Sequence, residues 1–335
     1  MKLHSAALAA LALASGLAAA QNASQGVSKS EVVLGSIQDL SGPIAGFGKQ
    51  VRLGMMLRAD EINEQGGING RRIKLVIEDS AYDPKKAVLA AQKLVNQDRI
   101  FAMIGHIGAA QNMAAMPVQF EKNFINFFPV TAAREMYEPF HCLKYSFAAT
   151  YYDQMRTLVP KLAKEKRATK VCTMYQDDEF GLEVMRGAEA GLKAGGMELA
   201  ERTTYKRGAT DFSSQVPMDG LYAAHTSQHP CLDDAAQPIR FWANKYKTKF
   251  NEDPTVFSVY GYLALDSFAR VAGKAGPNLT TESFIKAMDT MVVPGDIFGG
   301  PGMKFGPTMR LGNELSRLSQ IQDGRWKVVS DYAKP

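Results

Sequence analysis

Apolar residues follow two rhythms along this chain, and the rhythms alternate. "EVVLGSIQ" (31–38) is a nearly continuous apolar run ending in polar residues, as expected of a strand buried on both faces. A glycine-rich turn follows, "DLSGPIAGFGKQ", and then a helical stretch on which Val51, Met55, Ala59 and Ile62 fall on one stripe. "EQGGINGRR" ends it, because Gly66 and Gly67 permit a left-handed cap. A second strand "RIKLVIED" leads to a second helix from Pro84, with Ala87, Ala91, Leu94 and Val95 on its inner face. A third strand "FAMIG", a helix over 110–122 and a fourth strand "FINFF" complete a βαβαβαβ series. Strict alternation requires a parallel sheet with helices on both faces.

The pattern restarts after "KYSFAATYYDQ". A helix over 153–166, strand "KVCTMY", loop "QDDEFG", a helix over 182–194 and strand "ELAERTTY" make a second α/β unit. Further helices are predicted over 237–250, 256–272 and 281–291, and "LSQIQDGRWKVVSDY" reads as a hairpin around Asp323-Gly324. Between the two halves lies an oddity. In "GATDFSSQVPMDGLYAAHT" a helix start capped by Thr210 or Asp211 runs into Pro217 within about one turn, and the strand-like "GLYAAHT" follows at once. An irregular connection, broken at Pro217, is expected there.

The chain has 335 residues, 46% hydrophobic and 22% charged, enough for two domains with cores of their own. The opening "MKLHSAALAALALASGLAAAQ" has one cation, Lys2, an apolar run over 6–17 and small residues at 18–20. This predicts an export signal cut after Ala20, leaving a soluble periplasmic chain without a lipid anchor. The net charge of +5 is spread out. Its one dense basic run, "KLAKEKRATK", falls where a helix ends and cations are favourable, so it reads as a solvated helix end and not a nucleic-acid patch. Cys142, Cys172 and Cys231 match no zinc spacing, and an odd number leaves at least one thiol unpaired. His225, His229 and Cys231 cluster in "HTSQHPC", which reads as a loop containing histidines before it reads as a metal site. There is no dinucleotide fingerprint, phosphate loop, nucleophile elbow or zinc-protease motif. Asp177, Asp178 and Glu179 precede a helix and are explained by capping. No enzyme, cofactor or metal is therefore expected. In open parallel sheets ligands bind beyond the carboxyl ends of the strands. That directs attention to "QDLSGPIAGFG", "GHIGAAQ", "PVTAA" and "QDDEFG".

Several of these segments resemble one known family. "SGPIAGFGKQ", "EINEQGGINGRRIKLVIED", "YDPKKAVLAAQKLV", "MIGHIGAAQ", "DDEFGLEVMRGAEAGLKAGG", "TDFSSQV" and "DPTVFSVYGYLALDSFARVAGKAG" are similar, in order, to the periplasmic solute-binding proteins of ABC importers, Leu/Ile/Val-binding type. The resemblance implies an α/β fold of two doubly wound parallel-sheet lobes, the type I Venus-flytrap. Lobe 1 would comprise 26–148 and 253–316, and lobe 2 149–252 and 317–335. It also implies a monomer that captures a small hydrophobic amino acid, or a related carboxylate or amide, and delivers it to a membrane permease. A sensor of the same fold and, more remotely, an exported enzyme are the competing readings.

Position by position, the resemblance places Phe47 beside the ligand. Ala109 stands where amino-acid binders hold the carboxylate with a serine hydroxyl, leaving the Ala110 N–H and the helix end to make that contact. Val130, Thr131 and Ala132 match a loop that grips the same carboxylate, and Phe180 stands where a tyrosine is common. Tyr82 and Gly108 match a disulfide pair of some relatives, which cannot form here. In the family, strand–helix–strand–helix lies between the equivalents of "TDFSSQV" and "MDGLYA". That block, about 60 residues or two β–α units, is missing near 216–218. Lobe 2 is therefore expected to be incomplete and thin, with "GLYAAHT" either closing on a remaining strand or left at an edge, and binding to be impaired.

Overall fold

The computed structural model describes residues 24–207 and 220–335. The predicted export signal and the expected irregular connection around Pro217, with the missing segment expected near 216–218, lie outside the described residues.

The larger lobe is built from β1 (Glu31–Gln38), α1 (Ala45–Glu64), β2 (Arg72–Asp79), α2 (Pro84–Asn96), β3 (Ala102–Ile104), α3 (Ala109–Glu121), β4 (Ile125–Phe127), a 3-10 turn (Arg134–Met136) and β5 (Lys144–Tyr145). The strands form one parallel sheet in the order β2-β1-β3-β4-β5. The order reverses direction about β1, the doubly wound pattern that alternation predicts. The fifth strand is not legible in sequence: only two residues long, it pairs Lys144 and Tyr145 with Asn126 and Phe127.

The chain then passes through α4 (Tyr151–Glu165), β6 (Val171–Gln176), α5 (Glu179–Ala194), β7 (Leu199–Tyr205) and β8 (Tyr222–His225). It continues with α6 (Gln237–Phe250), α7 (Val256–Ala275), α8 (Thr281–Met288), two short strands β9 (Val292–Val293) and β10 (Met303–Lys304), and the hairpin β11 (Arg317–Gln322) and β12 (Arg325–Val328). Asp323 and Gly324 both have positive φ, 54° and 70°. This is the primed two-residue turn that matches strand twist, as the Asp-Gly pair predicts.

Helices α7 and α8 return to the larger lobe, where Phe268 and Phe284 meet Phe101 and Phe127 of the sheet edge-to-face at 5.5–6.1 Å. Each such fully buried ring stabilises by about 1.5–3 kcal/mol before entropy is counted. Helices α1 and α7 cross at glycine. A Cβ on Gly54 would lie 2.0 Å from the Ser258 carbonyl oxygen, and one on Gly261 2.1 Å from that of Val51. Helix α6 packs here too. Ile239, Trp242, Ala243 and Tyr246 bury against Leu57 of α1 and Val259 of α7. The sequence-based boundary assigns 149–252 to the second lobe; the apolar face of α6 draws this part of it onto the first.

The smaller lobe contains two separate sheets, the parallel pair β6-β7 and the antiparallel trio β12-β11-β8. Among the described residues no ladder joins them. β8 lies at an edge, paired on one side with β11. Helices α4 and α5 pack closely because Gly187 and Gly191 leave no Cβ against the Tyr152 and Arg156 carbonyls. The core beneath them is small: Ala163, Leu192 and Leu199, with Val159, Val171, Met185 and Met197 around them. Cys172 and Met174 of β6 face outward and exposed, whereas a parallel strand covered by helices on both faces would bury them.

Candidate ligand-binding site

A cavity of about 480 Å³ opens where the carboxyl ends of the larger lobe's strands face β8, β11 and β12. The larger lobe contributes Phe47 near the start of α1, Val130, Thr131 and Ala132 after β4, and Val256, Phe257 and Tyr260 of α7. The crossover and α4 add Phe147, Ala148, Tyr151 and Gln154. The opposite wall is Ala223 to Ser227, His229, Ser319 and Trp326. Among the described residues no Asp, Glu, Lys or Arg lines it.

Local chemistry fixes each part. Asp39, fully buried at the end of β1, accepts from the Gly42 N–H at 2.5 Å and the Ile44 N–H at 2.8 Å, and so shapes the turn before α1. That turn presents Phe47, which stacks on Phe257 with centroids 4.2 Å apart and planes 8° from parallel. Phe47 remains 47% exposed, an apolar face turned to the cavity. Behind β4, the Val130 N–H donates to the His106 carbonyl and the Val130 carbonyl accepts from the Gly108 N–H. The Ala132 carbonyl accepts from the Tyr151 N–H. Thr131 Oγ1 is buried and makes no well-formed hydrogen bond among the described residues, although the Tyr151 phenol sits beside it. Burial pushes both the Tyr151 and Tyr260 hydroxyls up, the latter to about 12.

On the opposite wall, His225 Nδ1 lies 2.9 Å from the Ser227 carbonyl oxygen, and its Nε2 lies 2.7 Å from Ser319 Oγ. Burial pushes the His225 ring down to about 4, so it is neutral at pH 7. His229 is shifted down for the same reason. Among the described residues no group of three or more His, Cys, Asp or Glu could hold a metal ion.

The two lobes also touch beside the cavity. Glu183 of α5, 5% exposed, accepts from the Arg134 N–H with both carboxylate oxygens at 3.0 Å. Burial pushes its carboxyl up to about 7, with Glu135 adding to the shift and the Arg134 contacts opposing it. Gln176 Nε2 reaches the Tyr82 hydroxyl at 3.5 Å, and the Arg207 guanidinium lies 5.4 Å from the Tyr82 ring centre while pairing with Asp178 at 2.8 Å.

Of the seven residues singled out from sequence, Phe47, Val130, Thr131 and Ala132 line the cavity. Ala109 and Ala110 open α3 and are buried behind the lining, with the Val130 N–H already engaged by His106. Phe180 packs against the buried cluster of Ala109, Met116, Ala133 and Met136 and meets Tyr151 edge-on at 4.9 Å, one layer out. Asp178 caps α5 by accepting from the Gly181 N–H, as its position before the helix predicts. A Cβ on Gly108 would lie 3.1 Å from the Tyr82 ring, so the two positions matched to a disulfide are neighbours. All three cysteines are free. Sequence reasoning misses the whole wall built by His225, Ser319 and Trp326. In sequence His225 stands out only within a histidine-bearing loop, and Ser319 and Trp326 only as hairpin residues.

Comparison with known proteins places this geometry. A family model described as periplasmic binding protein matches residues 31–218 and 216–325, two stretches that meet at the abrupt connection. An amino acid binding protein of Pseudomonas aeruginosa is 31% identical over 188 residues, 56% of this chain and 50% of that protein. The Leu/Ile/Val-binding protein of Escherichia coli is 26% identical over 246 residues, 72% of this chain and 64% of that protein. The chain thus spans between half and two-thirds of the length of these relatives. A fatty acid ABC transporter substrate-binding protein from Thermomonospora curvata superposes with a TM-score of 0.82 at 20% identity, covering 93% of this chain and 94% of that one. The chain belongs to the periplasmic binding protein family, with the type I fold and with Leu/Ile/Val-binding proteins among its relatives.

Proposed function

We propose that the protein is the periplasmic substrate-binding component of an ABC importer, not an enzyme, and that it captures one small, largely apolar solute in the cleft between its lobes. The observation that carries this reading is the uncharged cavity of about 480 Å³ at the strand ends, walled by both lobes. Ligand sites of this kind are concave, mostly apolar and furnished with a few polar groups. Its relatives are binding proteins by name, an amino acid binding protein and a Leu/Ile/Val-binding protein among them, and one fold neighbour is named for fatty acids. The solute class is a hydrophobic amino acid or a related carboxylate or amide. Phe47 supplies an apolar face to it and Thr131 a hydroxyl. Ala109, Ala110, Val130, Ala132 and Phe180 form the loops and second layer that hold these in place. Delivery would be to a membrane permease, by a monomer. No helix among the described residues is long and apolar enough to cross a membrane. A thermal-shift screen of amino acids, aromatic and aliphatic acids and amides tests the proposal, since a ligand bound only by the native state raises its stability. A hit confirmed by calorimetry and weakened by Phe47→Ala is the expected result. Turnover of any hit, or saturable binding that ignores Phe47, would overturn it.

A further inference from the structure

The wall formed by His225 and Ser319 has a fixed hydrogen-bond polarity. A carbonyl oxygen only accepts, so the contact between His225 Nδ1 and the Ser227 carbonyl at 2.9 Å puts the ring proton on Nδ1. Burial keeps the ring neutral, so Nε2 carries a lone pair. The Ser319 hydroxyl, 2.7 Å away, must therefore donate to Nε2. Its one proton is spent, and what Ser319 Oγ presents to the cavity is lone pairs. Ser319 is 7% exposed and lines the cavity beside Trp326. A group meeting it there has to donate a hydrogen bond. Among the described residues no carboxylate lines the cavity, so a donor that carries positive charge would lose its hydration without gaining a counter-ion from them.

We propose that Ser319, held by His225, is an acceptor subsite for a neutral donor, so that the solute meets this wall with an amide N–H or a hydroxyl and not with an ammonium group. The inference rests on the reading of the cleft as the solute site and narrows the class to amides and alcohols over free amino acids. It also makes His225 a positioning residue, whose ring orients the serine proton.

Three probes on one skeleton test it: N-methylphenylacetamide, methyl phenylacetate, which replaces the amide N–H by oxygen, and phenethylammonium. Binding is read by calorimetry and by Trp326 fluorescence. The amide is expected to bind about three- to tenfold more tightly than the ester, the range of one net neutral hydrogen bond. The ammonium is expected to bind least. Ser319→Ala should bring amide and ester to the same affinity by weakening the amide alone. Equal affinities in the native protein, an unchanged gap in folded Ser319→Ala, or tightest binding by the ammonium would overturn the acceptor assignment and leave the cleft reading standing. If none of the three binds, the cleft reading falls with it. Should Ser319→Ala not fold, the amide–ester gap in the native protein still decides.

Discussion

Glu183 offers a direct measurement of what a buried carboxyl costs at a lobe contact. Its folded pKa is about 7 against an ordinary value of 4.5, raised first by burial. Between those two pH values the folded chain holds a proton that the unfolded chain has released, so stability must fall as pH rises. The Glu183 contribution is fully favourable below 4.5, is lost progressively up to about 7, and is then constant. At about 1.4 kcal/mol per pH unit, the loss is on the order of 3 kcal/mol at pH 8. Glu183→Gln keeps an acceptor for the Arg134 N–H and removes the ionisation. Urea unfolding of both proteins from pH 4.5 to pH 8 should show a gap in favour of the glutamine variant that opens with pH toward this value. A gap that stays constant with pH would refute the reasoning. So would a glutamine variant less stable at pH 8, which would mean that the ionised form is held favourably by Arg134.

Three further outcomes are expected. Phe47→Ala should weaken solute binding by about 1–3 kcal/mol while moving the melting temperature little, because the ring is half-exposed; calorimetry and a melt on the same sample separate the two. Asp39→Ala should leave the Gly42 and Ile44 N–H groups without their acceptor and cost about 1–3 kcal/mol, read as a lower urea midpoint at unchanged slope. Gly54→Ala should destabilise by about 1–3 kcal/mol or more by overpacking, since its new methyl would meet the Ser258 carbonyl; a melt within one degree of the native protein would contradict the crossing geometry.

What can be read from sequence is what periodicity encodes. Val51, Met55, Ala59 and Ile62 share a stripe and all four are buried, and the run 31–38 is β1 to the residue. The Asp323-Gly324 turn is equally plain because few residue pairs tolerate two positive φ angles. β5 escapes because two residues carry no period. The packing of α6 escapes because a helix's apolar stripe says that it is buried and not against what: Trp242 and Tyr246 meet Leu57 nearly two hundred residues away in sequence. The site is half legible for a related reason. Phe47 and Thr131 sit just beyond predicted strands, one in the first turn of α1 and the other after β4, whereas His225 and Ser319 become partners only through antiparallel pairing of β8 with β11, which depends on a connection that no local pattern announces.

The glycine crossing of α1 and α7 joins the two helices that roof the cavity at backbone distance. Phe47 and Phe257 belong to different helices, and those helices touch backbone to backbone at Gly54 and Gly261, so the stacked pair of rings rests on a close crossing. At Gly54 and Gly261 a change of side-chain size has no room, because any Cβ there would meet a facing carbonyl oxygen. Variation in what the cleft accepts has more room on the facing wall, where β8, β11 and β12 present Ala224, Ser319 and Trp326 from a three-stranded sheet. Sequence drift among close homologues should concentrate on that wall, with the two glycines and the paired rings held constant.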